Sequence, residues 1–370
     1  MPPLRVCFAI DNLSRAGTES QLLALIRHLD RSQFHPSLVL LDGEGDESRS
    51  LEPADCQITR LGVQKLLHPK AVRAAWRLRK IWRVTRPDIL QAYFLDASYF
   101  TVPIARSCGI GAIVRVRNNL GYWLTRKHRI LNRIIRPMVS VSLTNSESGK
   151  QALVEADRLP ERRIRVIENG VDLERFAGLP EPFQQSDVVV GCVANLRAVK
   201  NIDGLMRAAK VVCERYPHVR FRVAGDGEQR AELLKLQASL RLGDRFELMG
   251  AMSDVPHFLS GVDIAVLPSH SEGMSNALLE YMAAGRAIVA TDVGANATVL
   301  GGTGTVIPAR SDAALSTAIC DVLANPESAR VLAKRARQRV ESEYSRTAMV
   351  RRFEAFYREI SCSSRAASSG

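Results

Sequence analysis

The chain has 370 residues, 46% apolar and 24% charged, with a formal net charge of +12. That is the composition of a globular protein long enough for two domains, and no apolar run approaches the ~18 residues of a membrane span. The charge is uneven: residues 1–180 hold 28 Lys/Arg against 18 Asp/Glu, residues 181–370 hold 23 against 21, and residues 51–150 hold 18 against 5. An anionic partner of the first half is therefore expected: a membrane surface, a nucleic acid or a phosphorylated acceptor.

Met1-Pro2-Pro3-Leu4-Arg5 runs straight into a strand, without the apolar stretch and cleavage site of a signal peptide. Cys7, Cys56, Cys108, Cys192, Cys213, Cys320 and Cys362 are scattered with no Cys-x-x-Cys pair, so they read as reduced thiols of a cytoplasmic protein. Leu4 to Ile10 opens the first α/β unit. The loop Asp11 to Gly17 follows, and Thr18 is the expected N-cap of a helix burying Leu22, Leu23, Leu25, Ile26 and Leu29. A glycine before a helix lets backbone approach a ligand; a simple turn explains Gly17 equally well.

Further strands are predicted at 36–41, 58–63, 88–94, 112–117 and 140–145. Helical patterns lie between them, the alternation of a doubly wound parallel sheet. From Pro69 to Arg86 runs a basic amphipathic helix with Trp76 and Trp82. A second basic block, Arg126 to Arg136, follows Tyr122 and Trp123. Such segments lie on anionic lipid, or form the solvated face of a crossover helix.

Gly178, Pro180 and Pro182 mark a linker over 177–187. Val188–Ala194 opens a second α/β unit, and the next loop, Asn195 to Asn201, carries Arg197 and Lys200. Two cations at a strand end suit a diphosphate, Arg through fork-like hydrogen bonds and Lys as a point charge. Taken alone, they are also ordinary exposed loop residues. Strands at 219–224, 245–250, 263–267, 287–293 and 303–308 and helices at 312–323, 326–343 and 347–360 complete the pattern, and 361–370 is expected to be disordered.

The most informative stretch is Pro268-Ser269-His270-Ser271-Glu272-Gly273-Met274-Ser275-Asn276-Ala277-Leu278-Leu279-Glu280-Tyr281-Met282-Ala283-Ala284-Gly285. Asp263 to Leu267 before it reads as a buried parallel strand. Ala277, Leu278, Tyr281 and Met282 recur at helical spacing, with Ser275 as N-cap and Gly285 as stop. The loop Ser271–Met274 thus joins a strand's carboxyl end to a helix's amino end, where open α/β sheets bind ligands. The amides of Gly273, Met274 and Ser275 and the helix dipole favour phosphate there. Glu272 lies in the loop. Glu280, two turns on, can accept hydrogen bonds from ribose hydroxyls; the plain alternative is a solvated helix residue.

With Pro268-Ser269 before the two glutamates and Met282-Ala283-Ala284-Gly285 after them, this string resembles glycosyltransferase family 4, the glycosyl transferases group 1. Ile164 to Phe176, containing Asn169-Gly170-Val171-Asp172, resembles the family's run at the end of its first domain. The resemblance implies an α/β protein of the GT-B fold: two Rossmann-like domains with doubly wound parallel sheets facing across a cleft, and a C-terminal helix crossing back to the first. It implies an acceptor-binding domain at 1–176, a nucleotide-sugar donor domain at 188–343 and a crossover helix at 344–360.

The implied activity is retaining transfer of a sugar from a UDP- or GDP-linked donor to a hydroxyl acceptor, in cell-surface polysaccharide or glycolipid synthesis. Glu272, Arg197 and Lys200 would be catalytic. Gly17, Asn195, Met249, Gly273, Met274, Ser275 and Glu280 would bind the donor, and Tyr93, Arg117 and Tyr122 the acceptor. The chain departs from the family at Ala16, where a glycine is usual, at Asn195, where an arginine is usual, and at Gln91-Ala92-Tyr93-Phe94, which lacks a frequent histidine.

There is no Asp-x-Asp motif and no His/Cys cluster, so neither a cofactor nor a tightly bound metal is expected, with the nucleotide sugar as co-substrate. The partners expected are that donor, a hydroxyl acceptor that could be lipid-linked and an anionic inner membrane face, but no nucleic acid, because no recognition motif accompanies the charge. The other readings are a GT-B sugar-nucleotide epimerase, a phosphorylase and a non-catalytic nucleotide-sugar-binding protein.

Overall fold

The computed structural model describes residues 2–118, 121 and 124–368, without the side chains of residue 156 and of residues 363–368. The first unit comprises Met1–Asn169 and Thr347–Gly370, the second Gly170–Arg346.

The first unit begins with β1 (Leu4–Ile10), α1 (Gly17–His28), β2 (Phe34–Leu40), α2 (Asp46–Leu51), β3 (Gln57–Arg60) and α3 (Pro69–Thr85). It continues with β4 (Ile89–Tyr93), α4 (Leu95–Ser107), β5 (Ala112–Val116), α5 (Arg126–Ile135), β6 (Val141–Thr144), α6 (Glu147–Asp157) and β7 (Ile164–Val166). The strands form a seven-stranded sheet among the described residues, in the order β3-β2-β1-β4-β5-β6-β7. All pairings in it are parallel. The order reverses between β1 and β4, which makes their carboxyl ends the switch point.

β4 and β5 are buried along their whole length, as a sheet covered on both faces requires. The helix after β1 starts two residues earlier than Thr18 suggests. Ala16, extended at φ −99° and ψ 168°, occupies the N-cap position and makes no side-chain bond. The first turn instead carries the acidic Glu19, which suits the helix dipole and accepts a bond from Ser14 Oγ at 2.8 Å.

The second unit contains β8 (Val188–Val193), α7 (Ile202–Arg215), β9 (Val219–Ala224), α8 (Arg230–Ser239), β10 (Phe246–Gly250), α9 (Val255–Ser260) and β11 (Ile264–Leu267). After these come α10 (Asn276–Ala283), β12 (Ala287–Thr291), α11 (Asn296–Leu300), β13 (Thr305–Ile307), α12 (Asp312–Ala324) and α13 (Pro326–Glu343). Six parallel strands run in the order β10-β9-β8-β11-β12-β13, among the described residues. The reversal falls between β8 and β11, aligned at Ile264 against Val190.

Residues 177–187 are not a free linker. Phe176 is 1% exposed in this unit's core. Arg330 Nη2 donates to the Phe183 carbonyl at 2.6 Å, and Arg286 donates to the Pro180 carbonyl. The sequence boundary after 176 therefore moves to Asn169/Gly170. Glycine and prolines shape this segment, but a buried aromatic ring and two guanidinium groups fix it.

The last helix, α14 (Arg346–Ser368), returns to the first unit from Thr347 onward. With α1 it covers one face of the first sheet, burying Met349, Val350, Phe353, Phe356 and Tyr357 with Phe8, Ile10, Leu22 and Phe34. The Tyr357 ring meets Phe8 and Phe34 edge-on, at centroid distances of 6.4 and 6.0 Å, the geometry aromatic quadrupoles favour. The other face buries Leu78, Trp82, Val102 and Ile113. Over 361–368, where disorder was expected, the structure has helix, since neither Gly nor Pro interrupts Ser361 to Ser368 and helix formers such as Ala and Arg continue it; residues 369–370 lie outside the described residues.

Candidate functional site

The site grows out of the switch point of the second sheet. β8 delivers the loop Asn195–Asn201 and β11 delivers Pro268–Ser275. Three interactions join the two loops. The His270 amide donates to the Val199 carbonyl at 2.8 Å, and Asn201 Nδ2 donates to the Pro268 carbonyl at 3.1 Å. Lys200 Nζ donates to Glu272 Oε1 at 2.6 Å. That same carboxylate oxygen accepts from Ser269 Oγ at 2.6 Å.

Lys200 and Glu272 are 23% and 10% exposed, so the pair is shielded yet reachable. Glu272 Oε2 makes no hydrogen bond among the described residues. An ammonium has three donors, so Lys200 keeps N–H groups for an anion while it holds Glu272.

Ser275 caps α10, its Oγ accepting from the Leu278 amide at 3.4 Å, and Gly285 at φ +64° follows the helix. The buried Tyr281 fixes α10 to the sheet: its hydroxyl accepts from the Val193 amide at 2.6 Å. The loop after β12 supports the Glu272 loop from behind. The Ala295 amide donates to the Gly273 carbonyl at 2.9 Å, and Gly294 sits at φ +60°, where a Cβ would come within 2.3 Å of the Glu272 carbonyl oxygen. Glycine is required there by both the left-handed conformation and the close approach.

The Glu280 carboxyl, on α10, makes no hydrogen bond or ion pair among the described residues. Burial pushes that carboxyl up to about 7, and Arg175 offsets this only in part. Asn195 and Arg197 are exposed on the β8 loop. Met249, 37% exposed, stands at the irregularity that ends the edge strand β10. The side chains of Met274 and Ser275 are buried, which leaves their backbone, not the Met274 side chain, as what they could offer a ligand.

The second unit thus gathers Glu272, Lys200, Arg197, Asn195, Gly273, Met274, Ser275 and Glu280 around one switch point. Gly17 belongs to the corresponding place in the first unit, at the start of α1 after β1. The acceptor residues fare differently. Tyr93 is 3% exposed; its hydroxyl accepts from Gln91 Nε2 at 2.6 Å, and Gln91 Oε1 accepts from Tyr357 at 2.9 Å. That core hydrogen-bond chain, not an acceptor, occupies Tyr93. Arg117 is 7% exposed and ion-paired to Asp157 at 2.6 Å. Tyr122 lies outside the described residues.

Sequence reasoning passed over Ser269, which steers Glu272, and His270, whose Nδ1 is buried with no partner among the described residues. Both stood inside the motif. It also passed over Asp11, at the switch point of the first sheet. Its carboxylate accepts from the Ala97 amide at 2.7 Å, and burial raises its pKa to about 6. The only signal was its place directly after the first strand. Among the described residues, no three His, Cys, Asp or Glu side chains are grouped as a metal site.

Profiles of two related families match the chain. The family described as Glycosyltransferase Family 4 matches residues 15–175, and Glycosyl transferases group 1 matches residues 187–325. The chain belongs to these glycosyltransferases. Among similar proteins of this kind, Glycogen synthase of Mycobacterium tuberculosis is 26% identical over 301 residues, 79% of this chain and 69% of that protein. Alpha-D-kanosaminyltransferase of Streptomyces kanamyceticus is 28% identical over 254 residues, 66% of this chain and 65% of that protein. The chain thus spans about two thirds of the length of these relatives. The solved structure of Anabaena Alr3699/HepE in complex with UDP and glucose superposes with a TM-score of 0.82 at 17% identity, over 96% of this chain and all of that one. Two doubly wound parallel sheets with this neighbour make the fold GT-B.

Proposed function

We propose that this chain transfers a sugar, with retention at the anomeric carbon, from a UDP- or GDP-linked donor to a hydroxyl acceptor. The observation that carries the reading is the Lys200–Glu272–Ser269 group at the switch point, with Glu280 about one turn into the helix that follows. Lys200 and Arg197 would meet the diphosphate, joined by the backbone of Gly273, Met274 and Ser275 at the start of α10. Glu272 Oε2 would accept from hydroxyls of the donor sugar. Asn195 and Glu280 would bind the nucleoside, Glu280 through its ribose, and Met249 would lie against the base. The solved neighbour's UDP and glucose support a ligand of this class.

In the proposed step the acceptor oxygen bonds to the anomeric carbon on the face from which the diphosphate leaves. The carbon–oxygen bond to the β-phosphate breaks, and a β-phosphate oxygen takes the acceptor's proton. The products are the glycoside and the nucleoside diphosphate. Fixed cations stabilise the charge that develops on the leaving group, and removing one such group costs ~10²–10³ in rate. Because Arg197 and Lys200 supply that charge, transfer is expected to persist in a chelator.

The acceptor is proposed to be lipid-linked or part of a surface glycan. The first unit exposes Trp76 on α3 and Ile130 and Ile134 on α5, at 66%, 61% and 57%, beside the basic residues of those helices. That combination suits peripheral contact with an anionic membrane. No helix among the described residues is long and apolar enough to cross a membrane.

The deciding experiment is a thermal-shift screen of nucleoside diphosphates and their sugars on wild type and Glu280→Ala, followed by assay of diphosphate release with acceptors. A ligand at 100 times its Kd stabilises by ~2.7 kcal/mol. A shift with one nucleotide that Glu280→Ala weakens supports the donor assignment. Turnover of the donor without any acceptor points to an epimerase, and no shift in folded protein overturns the reading.

A further inference from the structure

A cavity of about 260 Å³ lies within the first unit, between α5, the end of α6 and the sheet beneath. Arg115, Arg129, Arg133, Arg136, Arg158 and Arg163 line it. The carboxylate at its wall, Asp157, is held by Arg117 at 2.6 Å. Arg115, only 9% exposed, makes no ion pair among the described residues. It donates to the neutral Asn132 Oδ1 at 2.7 Å and stacks on Tyr99, 5.8 Å from the ring centroid.

Asn132 supplies the second observation. It is 5% exposed, and its Oδ1 accepts from both Arg115 and the Tyr99 hydroxyl, the latter at 2.9 Å. Two donors on one oxygen fix the orientation of the amide. Its Nδ2 is then a buried donor with no partner among the described residues. An unsatisfied buried donor is costly, and so is a buried guanidinium whose nearby carboxylate, Asp157, is held by Arg117 and makes no direct pair with it; one acceptor anion would satisfy both.

We infer that this cavity binds a phosphate or diphosphate group, with Asn132 Nδ2 and Arg115 as its inner contacts and Arg129 and Arg133 at its mouth. A volume below the roughly 300–1,000 Å³ of small-molecule pockets suits such a head group better than an extended ligand. Arg163 directly precedes β7 and Arg136 lies five residues before β6, so the cavity opens toward the amino-terminal edge of the sheet. Gly17 and Asp11 lie at the opposite edge. The inference rests on no part of the sugar-transfer reading. The phosphate could come from a phospholipid head group or from a soluble phosphorylated compound.

The test is titration calorimetry of the full chain with inorganic pyrophosphate at constant ionic strength. It uses wild type, Lys200→Ala, the double variant Arg129→Glu/Arg133→Glu and Asn132→Asp. Arg129 and Arg133 are exposed, so that double variant should fold normally, as circular dichroism would verify. Lys200→Ala should lose only the binding that belongs to the donor site proposed above and keep that of the cavity. The double variant and Asn132→Asp should each weaken binding at least about tenfold, the loss of charge-assisted bonds. Equal binding by wild type and the double variant, or loss in Lys200→Ala alone, overturns the site. Vesicles of phosphatidylcholine with and without phosphatidic acid then separate the sources. Binding to acidic vesicles that pyrophosphate displaces identifies a lipid head group. Pyrophosphate binding without vesicle binding identifies a soluble ligand. Vesicle binding indifferent to pyrophosphate, with no calorimetric signal, means general surface charge and overturns the cavity's role.

Discussion

At the residue scale, Glu280 gives the clearest pH dependence. Burial raises its carboxyl from 4.5 to about 7, so between those values the folded chain holds a proton that the unfolded chain has lost. Stability must therefore fall as pH rises through that window and level off above it. Glu280→Gln should remove the slope. Its melting temperature should match wild type near pH 4.5 and exceed it at about pH 8, by an amount equivalent to about 1–3 kcal/mol, since the carboxyl is not fully shielded from water. Lys200 belongs to the chemistry instead. Lys200→Ala should lower the transfer rate ~10²–10³-fold with little change in melting temperature, because the side chain is partly exposed and its loss frees Glu272 to water. A mutant that keeps full kcat would remove Lys200 from the mechanism. Glu272, Lys200 and Glu280 were legible because their motif fixes them relative to a strand end and a helix start. Tyr93 and Arg117 were not, because whether a side chain at a strand end faces a ligand or a neighbouring helix depends on packing. Gln91 and Asp157 decide it here, and no local spacing announces them.

At the scale of elements, the glycine behind the Glu272 loop is the point of greatest sensitivity. Gly294→Ala would force a Cβ against the Glu272 carbonyl in a left-handed conformation. The expected cost is about 1–3 kcal/mol, read as a lowered denaturation midpoint. Activity should fall further than the unfolded fraction explains, because the loop bearing Glu272 must move; unchanged activity in the folded fraction would show that the loop tolerates displacement. The helix α10 was readable from Ser275, its apolar spacing and Gly285, three signals that agree. The start of α1 was not, since Thr18 is a good cap by type but the extended residue is Ala16. The segment 177–187 misled for a related reason: glycine and proline describe its backbone, while Phe176 and the guanidinium groups of Arg286 and Arg330 determine where it rests.

For the whole molecule, the parallel alternation of strands and helices identified both sheets, because buried strands and amphipathic helices each carry their own period. The division of the chain was harder to read, since unit membership depends on contacts remote in sequence. Deleting Thr347–Gly370 exposes Met349, Val350, Phe353, Phe356 and Tyr357, buried side chains worth roughly 1.5–3 kcal/mol each. Their sum rivals the whole stability of a domain, about 5–15 kcal/mol. Hydrogen exchange on the truncated chain should therefore show loss of protection throughout β1, β2 and β4, with β8 to β13 still protected; retained protection in β1 would mean that the helix is dispensable. The same arrangement governs how the protein is made. A ribosome delivers the first sheet well before its covering helix, with all of Gly170–Arg346 translated in between. At about 5–20 residues per second, the more than 300 residues from Phe34 to Tyr357 leave roughly 15–70 s in which Phe8 and Phe34 await their partner. Throughout that interval the nascent chain presents an oily seam that a chaperone can hold, and any message cut short before the final helix yields a product with the seam permanently open.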